Sequence, residues 1–522
     1  MKNKLAPYFR VASLAVLLNL AHGCHPAPAP AEQAVVPGVE AFDAQIKKYV
    51  DATKPLRTAA DQKVPKGGTP EAQAAGLEKR RAVLAADILA LRANAKPGEM
   101  FTPEGAASIK KALDGAFKGP GVDTIRDAME EQNDPTVYKV AGKVAMSRPI
   151  AAPLLPAVLT ADLPQLPKEV EYHFVGRTLL LIDAEATSVL DFIEQAFPEP
   201  PPKTPAPPVP PPVRARSVPF LKMPQKARSV RFVAMGDTGT GTDAQRKMAD
   251  TLWEYYSEGN RFKFILLLGD NLYAGLELAA DYKREFLDPY KQFLDARIQF
   301  HACLGNHDLA AQVNFKPFNM GGHPYYSFTE PNVKFVALNS NDPTNPEQLK
   351  WLDEQFAGEK GWRICFFHHP LYSSGLHAGE SDRMRSLLEK DLVKNQVNVV
   401  FSGHEHFYER PKLQQGIQYF VDGGGAKIRR DLQPRAFTAV GYDRENSLMI
   451  LEIAGDEMFY QAMGVSGRTI DCGIVYRTPD ASAKGGKEAD TQKWLSACQD
   501  AIVWLQGRPN PTQKVSSLPV AH

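Results

Sequence analysis

From residue 229 onward, short apolar runs are each followed by a tight polar block, and this arrangement restricts the fold more than any other feature of the chain. The blocks are Gly236-Asp237-Thr238-Gly239, Gly269-Asp270-Asn271-Leu272-Tyr273, Gly305-Asn306-His307-Asp308, Phe367-His368-His369-Pro370 and Gly403-His404-Glu405-His406. The preceding runs, at 230–235, 262–268, 298–304, 363–367 and 397–401, have the length and apolarity of buried strands. Further runs at 334–338, 417–421 and 448–453 read as strands, and 243–257, 278–293, 346–356 and 381–395 as helices. Thr242 and Gln245 have the spacing of a capping box for the first of these helices. Strands alternating with helices predict an α/β fold, which places its ligands at the carboxyl ends of strands. Glycine there lets the backbone turn without a Cβ clash.

The blocks supply carboxylates (Asp237, Asp270), a carboxamide (Asn306), a phenol (Tyr273) and imidazoles (His368, His404, His406), with no thiolate. Such an oxygen and nitrogen set suits Fe, Mn or Zn. These donors are too many for one four-coordinate ion and about right for two ions sharing a carboxylate. Paired ions can activate water and clamp a phosphoryl oxygen.

The order and content of the blocks resemble the calcineurin-like metallophosphoesterase superfamily, and Tyr273 in Gly-Asp-x-x-Tyr resembles the purple acid phosphatases in particular. The resemblance covers roughly 230–463. It implies a four-layer αββα sandwich that hydrolyses phosphomonoesters by attack of a metal-bridging hydroxide. Asp237, Asp270, Tyr273 and His406 would hold the first ion, expected to be Fe(III), with Asp270 bridging. Asn306, His368 and His404 would complete the second site, taking Fe(II), Zn(II) or Mn(II). His307 would bind the phosphate and help protonate the leaving alkoxide. The family's ligand lies two residues before a proline, and Pro370 makes that His368. A strand alternates faces, so His369 is expected to support or pack instead. His377 is a substrate-contacting candidate in the following loop. Glu405 is expected to point away from the ions, while Tyr408-Glu409-Arg410 and the 423–425 glycines shape the mouth. Alternatives are a phosphodiesterase or nucleotide hydrolase using the same site, and a non-catalytic envelope binding protein on a vestigial hydrolase fold.

The rest of the 522 residues sets the context. Residues 1–24 read as a secretory signal, basic and then apolar over 11–21, ending Leu20-Ala21-His22-Gly23-Cys24. The ending resembles a bacterial lipoprotein processing site, so export to the periplasm or outer face, with a lipid anchor at Cys24, is the expectation. Residues 25–38 form an extended tether. Residues 39–197 are expected to be a mainly helical domain of unknown role. Its helices fall at 41–53, 70–95, 108–117 and 124–130, with two strands within 169–182 around Gly176-Arg177 and a helix at 186–197. Residues 198–228 are a proline-rich linker, stiff because proline neither pairs in a sheet nor continues a helix. Residues 229–465 are the catalytic domain and 466–522 a C-terminal extension, with a short helix at 494–505. Cys303 and Cys365 read as buried thiols, and export would permit a Cys472–Cys498 disulfide. A formal charge of +1, from 61 basic and 60 acidic residues, gives no reason to expect nucleic acid. The expected partner is a small phosphorylated substrate; oligomeric state is not readable.

Overall fold

A computed structural model describes residues 39–62, 68–117, 144–150, 152–160, 162–198, 219–273, 275, 278–478 and 489–503. The signal, Cys24, the tether, most of the proline linker and the 124–130 helix lie outside the described residues.

Two sheets form the centre. The six-stranded one has the order β16-β15-β14-β4-β5-β6, and the seven-stranded one β13-β11-β12-β10-β9-β8-β7. The first combines β4 (Val230–Met235), β5 (Phe264–Leu267), β6 (Gln299–Ala302), β14 (Ser447–Ala454), β15 (Glu457–Gly464) and β16 (Thr469–Tyr476). The second combines β7 (Tyr326–Glu330), β8 (Val333–Ala337), β9 (Trp362–Phe366), β10 (Val399–Ser402), β11 (Tyr408–Pro411), β12 (Gln418–Asp422) and β13 (Thr438–Tyr442). Strands β4, β5 and β6 run parallel, as do β8, β9, β10 and β12. All five polar blocks therefore leave carboxyl ends of parallel strands. The first sheet runs past residue 465 to Tyr476.

Period-two patterning makes the layers. Phe232, Ala234, Phe264 and Leu266 meet Phe335, Ile364, Phe366 and Phe401 between the sheets. Val233, Met235, Ile265 and Leu267 turn outward onto a helix at Asp243–Ser257. Val336, Cys365 and Val400 turn the other way, onto helices Pro346–Phe356 and Ala378–Lys394. The domain is a four-layer αββα sandwich. Cys303 and Cys365 are buried free thiols.

Ahead of it stand α1 (Val39–Asp61), α2 (Pro70–Leu91) and α3 (Pro103–Ala116), with a three-stranded antiparallel sheet of β1 (Val170–Val175), β2 (Thr178–Asp183) and β3 (Val189–Ile193). The helix expected at 186–197 is strand β3 instead. Tertiary pairing overrides a helical spacing here: β3 completes the sheet against β2, and the Asp191 carboxylate accepts the backbone N–H groups of Gly98, Met100 and Phe101. The region packs on the sandwich. Ala74 and Leu77 of α2 join the outer core beside Tyr282 and Phe286, and Met384 of the 378–394 helix enters the N-terminal core.

Two local expectations are revised. The 278–293 helix is interrupted by a wider π-type turn at Lys283–Leu287, which carries Glu285 inward. The capping box is not formed. Gln245 Oε1 accepts the N–H of Gly241, one residue earlier, because its Nε2 donates to Glu285 O. At the C-terminus, helix Ala489–Val503 packs on β16, and Cys472 and Cys498 are disulfide-bonded. Among the described residues no helix is long and apolar enough to cross a membrane.

Phe232 is fully buried, stacked on Phe264 and edge-on to Phe335 and Phe401. Phe232→Ala should cost about 3–5 kcal/mol, read as a lower denaturation midpoint; an unchanged midpoint would contradict this account of the inter-sheet core.

Candidate metal centre

The turns that carry the donors are tighter than glycine alone explains. Asp237, Asp270 and His404 themselves hold positive φ, at 57°, 52° and 69°. Non-glycine residues rarely adopt this region, and such strain is concentrated at functional sites. Gly269 also holds positive φ, at 89°, while Gly305 and Gly403 serve close approach. A Cβ on Gly305 would lie 2.1 Å from Asp270 Oδ1, and one on Gly403 2.6 Å from Asp237 Oδ2. Asp308 ties two blocks together: its carboxylate accepts the N–H groups of Gly305 and Leu272 and the side-chain amides of Asn271 and Gln312.

All seven expected donors converge, six of them in two triads and Asp270 between. In the first, Asp237 Oδ1 lies 3.1 Å from Tyr273 Oη and 3.3 Å from His406 Nε2, with Oη and Nε2 3.4 Å apart. In the second, Asn306 Oδ1 lies 2.8 Å from His368 Nε2 and 3.0 Å from His404 Nδ1, and the two nitrogens are 3.1 Å apart. Asp270 stands between them. Its Oδ1 is 3.4 Å from His368 Nε2, and Asp237, Asp270 and His368 can each offer a ligand atom within 4.8 Å of the others.

This geometry fits two cations. Donors about 2.1 Å from one ion stand about 3.0 Å apart at right angles and about 3.4 Å apart at the tetrahedral angle. Both triads have such edges. The second also lacks protons to satisfy itself. His368 Nδ1 donates to Leu268 O at 2.9 Å, and His404 Nε2 donates to Glu380 Oε2 at 3.0 Å. With those contacts made, His368 Nε2 and His404 Nδ1 face each other and Asn306 Oδ1. A shared cation satisfies that arrangement.

The carboxylates respond to burial in opposite directions. Desolvation, then the Asp270 charge, push Asp237 up. Burial also opposes ionisation of Asp270, but His368, His307 and the His307 N–H hold it below the usual carboxylate range.

The remaining expected residues are nearby. His307 is buried, its ring centroid 4.6 Å from that of Tyr273 and its Nε2 3.9 Å from Asp270 Oδ2. His369 bonds Ser340 Oγ through Nδ1 at 2.9 Å, and its ring lies 4.6 Å from that of His404, beside the second triad. His377 is buried rather than an exposed loop residue: Nε2 is 2.8 Å from Arg429 Nη1, Nδ1 is 3.5 Å from Glu380, and its ring lies 4.3 Å from that of His404. Glu405 points to the His377 loop, accepting from Ser373 Oγ and the His377 N–H; burial and Asp431 push it up to about 8. Tyr408 and Arg410 bond Asp471, while Glu409 accepts from Ser374.

Glu380 has no local sequence signal beyond standing three residues after His377 on a helix start, and sequence reasoning missed it. Its carboxylate fixes which His404 nitrogen faces the triad, an orienting contact typical of metal-bound histidines. Glu380→Gln should therefore lower metal affinity about 10–100-fold, measured by competition with a chelator; unchanged affinity would remove that role. Ion retention should also fall with falling pH. Asp237, raised by burial, takes up a proton before an ordinary carboxylate would, and protons compete with the ions. Metal content after dialysis across a pH series tests this.

Residues 230–408 match the family model for calcineurin-like phosphoesterases. Relatives include the Fe(3+)-Zn(2+) purple acid phosphatase 12 of Arabidopsis thaliana, 25% identical over 258 residues, covering 44% of this chain and 54% of that protein. Another is the tartrate-resistant acid phosphatase type 5 of Oryctolagus cuniculus, 27% identical over 292 residues, 46% of this chain and 89% of that protein. Among solved structures, purple acid phosphatase PPD1 from yellow lupin (Lupinus luteus) seeds aligns at a TM-score of 0.41 with 15% identity, over 60% of this chain and 61% of that one. The chain spans about half the length of several of the curated relatives it matches. The sandwich that gathers the two triads is thus a calcineurin-like phosphoesterase domain, related at modest identity to purple acid phosphatases.

Proposed function

We propose that this chain is a dinuclear-metal phosphomonoesterase of the purple acid phosphatase type. The convergence of Tyr273 with Asp237 and His406, beside a second triad of Asn306, His368 and His404, supports this reading most directly. Asp237, Tyr273 and His406 would hold one ion, and Asp270 would be shared. Hard anionic oxygens in the first set suit Fe(III); the imidazoles and amide of the second suit Fe(II), Zn(II) or Mn(II). When bound, such a pair supplies Lewis-acid polarisation of phosphoryl oxygen and acidifies water at neutral pH.

The chain's own residues would do the rest. His307, flanked by Asp270 and Tyr273, is in position to carry a proton at Nε2 to the departing alkoxide. Asp270 would favour the charged imidazole until that transfer. The buried walls around both triads exclude bulk water and strengthen each charge–dipole contact. We further read the protein as exported, with a lipid anchor at Cys24; the Cys472–Cys498 disulfide accords with an oxidising compartment.

Metal analysis, a visible spectrum and a substrate pair test this reading. Two ions per chain, a phenolate-to-iron absorption band and preference for p-nitrophenyl phosphate over its bis ester are expected. A colourless protein that prefers the diester would overturn it in favour of a diesterase. His307→Ala should lower kcat by about 10²–10⁴-fold with metal content unchanged; wild-type turnover would exclude His307 as the acid.

A further inference from the structure

The end of the sandwich away from the triads carries a concentration of charge of its own. Arg231 stands near the start of β4 and Asp237 just past its end. At about 3.3 Å per residue the two are about 20 Å apart. The start of β4, the residues leading into β5 and the turn between β7 and β8 frame a recess of about 630 Å³. Its walls include Arg228, Arg231, Arg261 and Lys263, against one carboxylate, Glu330. Both Glu330 oxygens accept from Lys263 Nζ, at 2.7 and 2.6 Å. The guanidiniums stand differently: among the described residues none of the three is in an ion pair. Glu452, opposite Arg231 in the ladder, accepts the backbone N–H groups of Gln225 and Lys226. Arg261 is steadied by the Tyr256 ring, its Cζ 4.2 Å from the centroid.

A small pit shares these walls. Arg231, Arg261 and Phe262 line it together with Asn260, and its volume of about 10 Å³ admits one water-sized group. Asn260 is 4% exposed. Its Nδ2 donates to Tyr255 O, while its Oδ1 has no hydrogen-bond partner among the described residues. A buried acceptor in that state calls for a donor. Ser229 Oγ, on the wall of the larger recess, likewise has no partner among the described residues. The chemistry is thus of two kinds side by side. Guanidiniums keep their charge at any working pH and match the oxygens of a phosphate in pairs. A hydroxyl would supply the donor that Asn260 Oδ1 lacks.

We propose that this recess is a binding site, separate from the metal centre, for a phosphate group that carries a hydroxylated substituent, as in a glycerol phosphate. The phosphate would lie among Arg228, Arg231 and Arg261, and a hydroxyl would enter the pit to meet Asn260 Oδ1. A free polyol phosphate has this chemistry, and so does the headgroup of phosphatidylglycerol. Either would be held at the amino ends of the strands whose carboxyl ends bear the donors. A headgroup held here would leave the metal centre facing away from the lipid.

Calorimetric titration of the metal-loaded full chain with 3,4-dihydroxybutylphosphonate, a non-cleavable analogue of glycerol 3-phosphate, tests this. Two sites per chain are expected, one at the metals and one in the recess. Removing metal should abolish the first and leave the second, so failure of the metal-centre reading would show in the first alone. Arg231→Gln with Arg261→Gln should weaken the recess site about tenfold or more, and the surviving first site reports that the variant is folded. Arg228→Gln, at an exposed position, should weaken the recess site in the same direction. Rising ionic strength should weaken it in the wild type. Butylphosphonate, which lacks the hydroxyls, should bind the recess about threefold or more weakly. Co-sedimentation with phosphatidylglycerol vesicles beyond that with phosphatidylcholine, lost in the double variant, would identify a lipid headgroup as the source. Soluble binding without that difference would identify a free ester. Absence of a metal-independent site, or one that ignores the arginine substitutions or salt, overturns the proposal, as does equal affinity for the two phosphonates.

Discussion

Two imidazole lone pairs and an amide oxygen face one another at about 3 Å in a buried pocket, and the rest of the domain is arranged to keep them there. Such a cluster is unfavourable alone. Its rings cannot turn away, because their other nitrogens are committed to Leu268 O and Glu380. The cost is met by folding around it: parallel strands from two sheets end at one place, and three donor-bearing residues accept left-handed backbone. The donor set so gathered is one that a cation would satisfy.

The donors were legible in the sequence because their signal is local. Each follows an apolar run within a few residues, and the order of the blocks carries the rest. Strand positions followed for the same reason: a buried parallel strand needs an apolar stretch, and Phe264–Leu267 is apolar throughout, while 230–235 and 362–366 are apolar apart from Arg231 and Arg363. The revisions concern positions decided by partners far away in the chain. Residues 186–197 have a helical spacing of apolar side chains, yet β2 and the loop at 98–101 capture them as a strand. Gln245 has capping-box spacing, yet Glu285 claims its amide. Glu380 gains significance only from His404, which lies in another block.

The glycines show how a sequence motif can be noticed for one reason and needed for another. At Gly305 and Gly403 the turn itself is secondary. What matters is that Asp270 and Asp237 oxygens occupy the space a methyl group would fill. The aspartates, meanwhile, take the strained backbone that a glycine would have adopted freely. That exchange aims each carboxylate into the pocket from a position fixed by backbone contact rather than by a mobile side chain.

Met384 sits on the helix that begins just after His377 and includes Glu380, and its side chain is fully enclosed among the apolar groups of the N-terminal region. On the other flank, α2 rests against the segment whose Glu285 accepts the Tyr273 N–H. The first third of the chain thus grips the sandwich at two places, each one step removed from a donor. Loosening that grip would let both sides of the pocket relax at once, so a substitution in the N-terminal core has a mechanical route to the chemistry without approaching it.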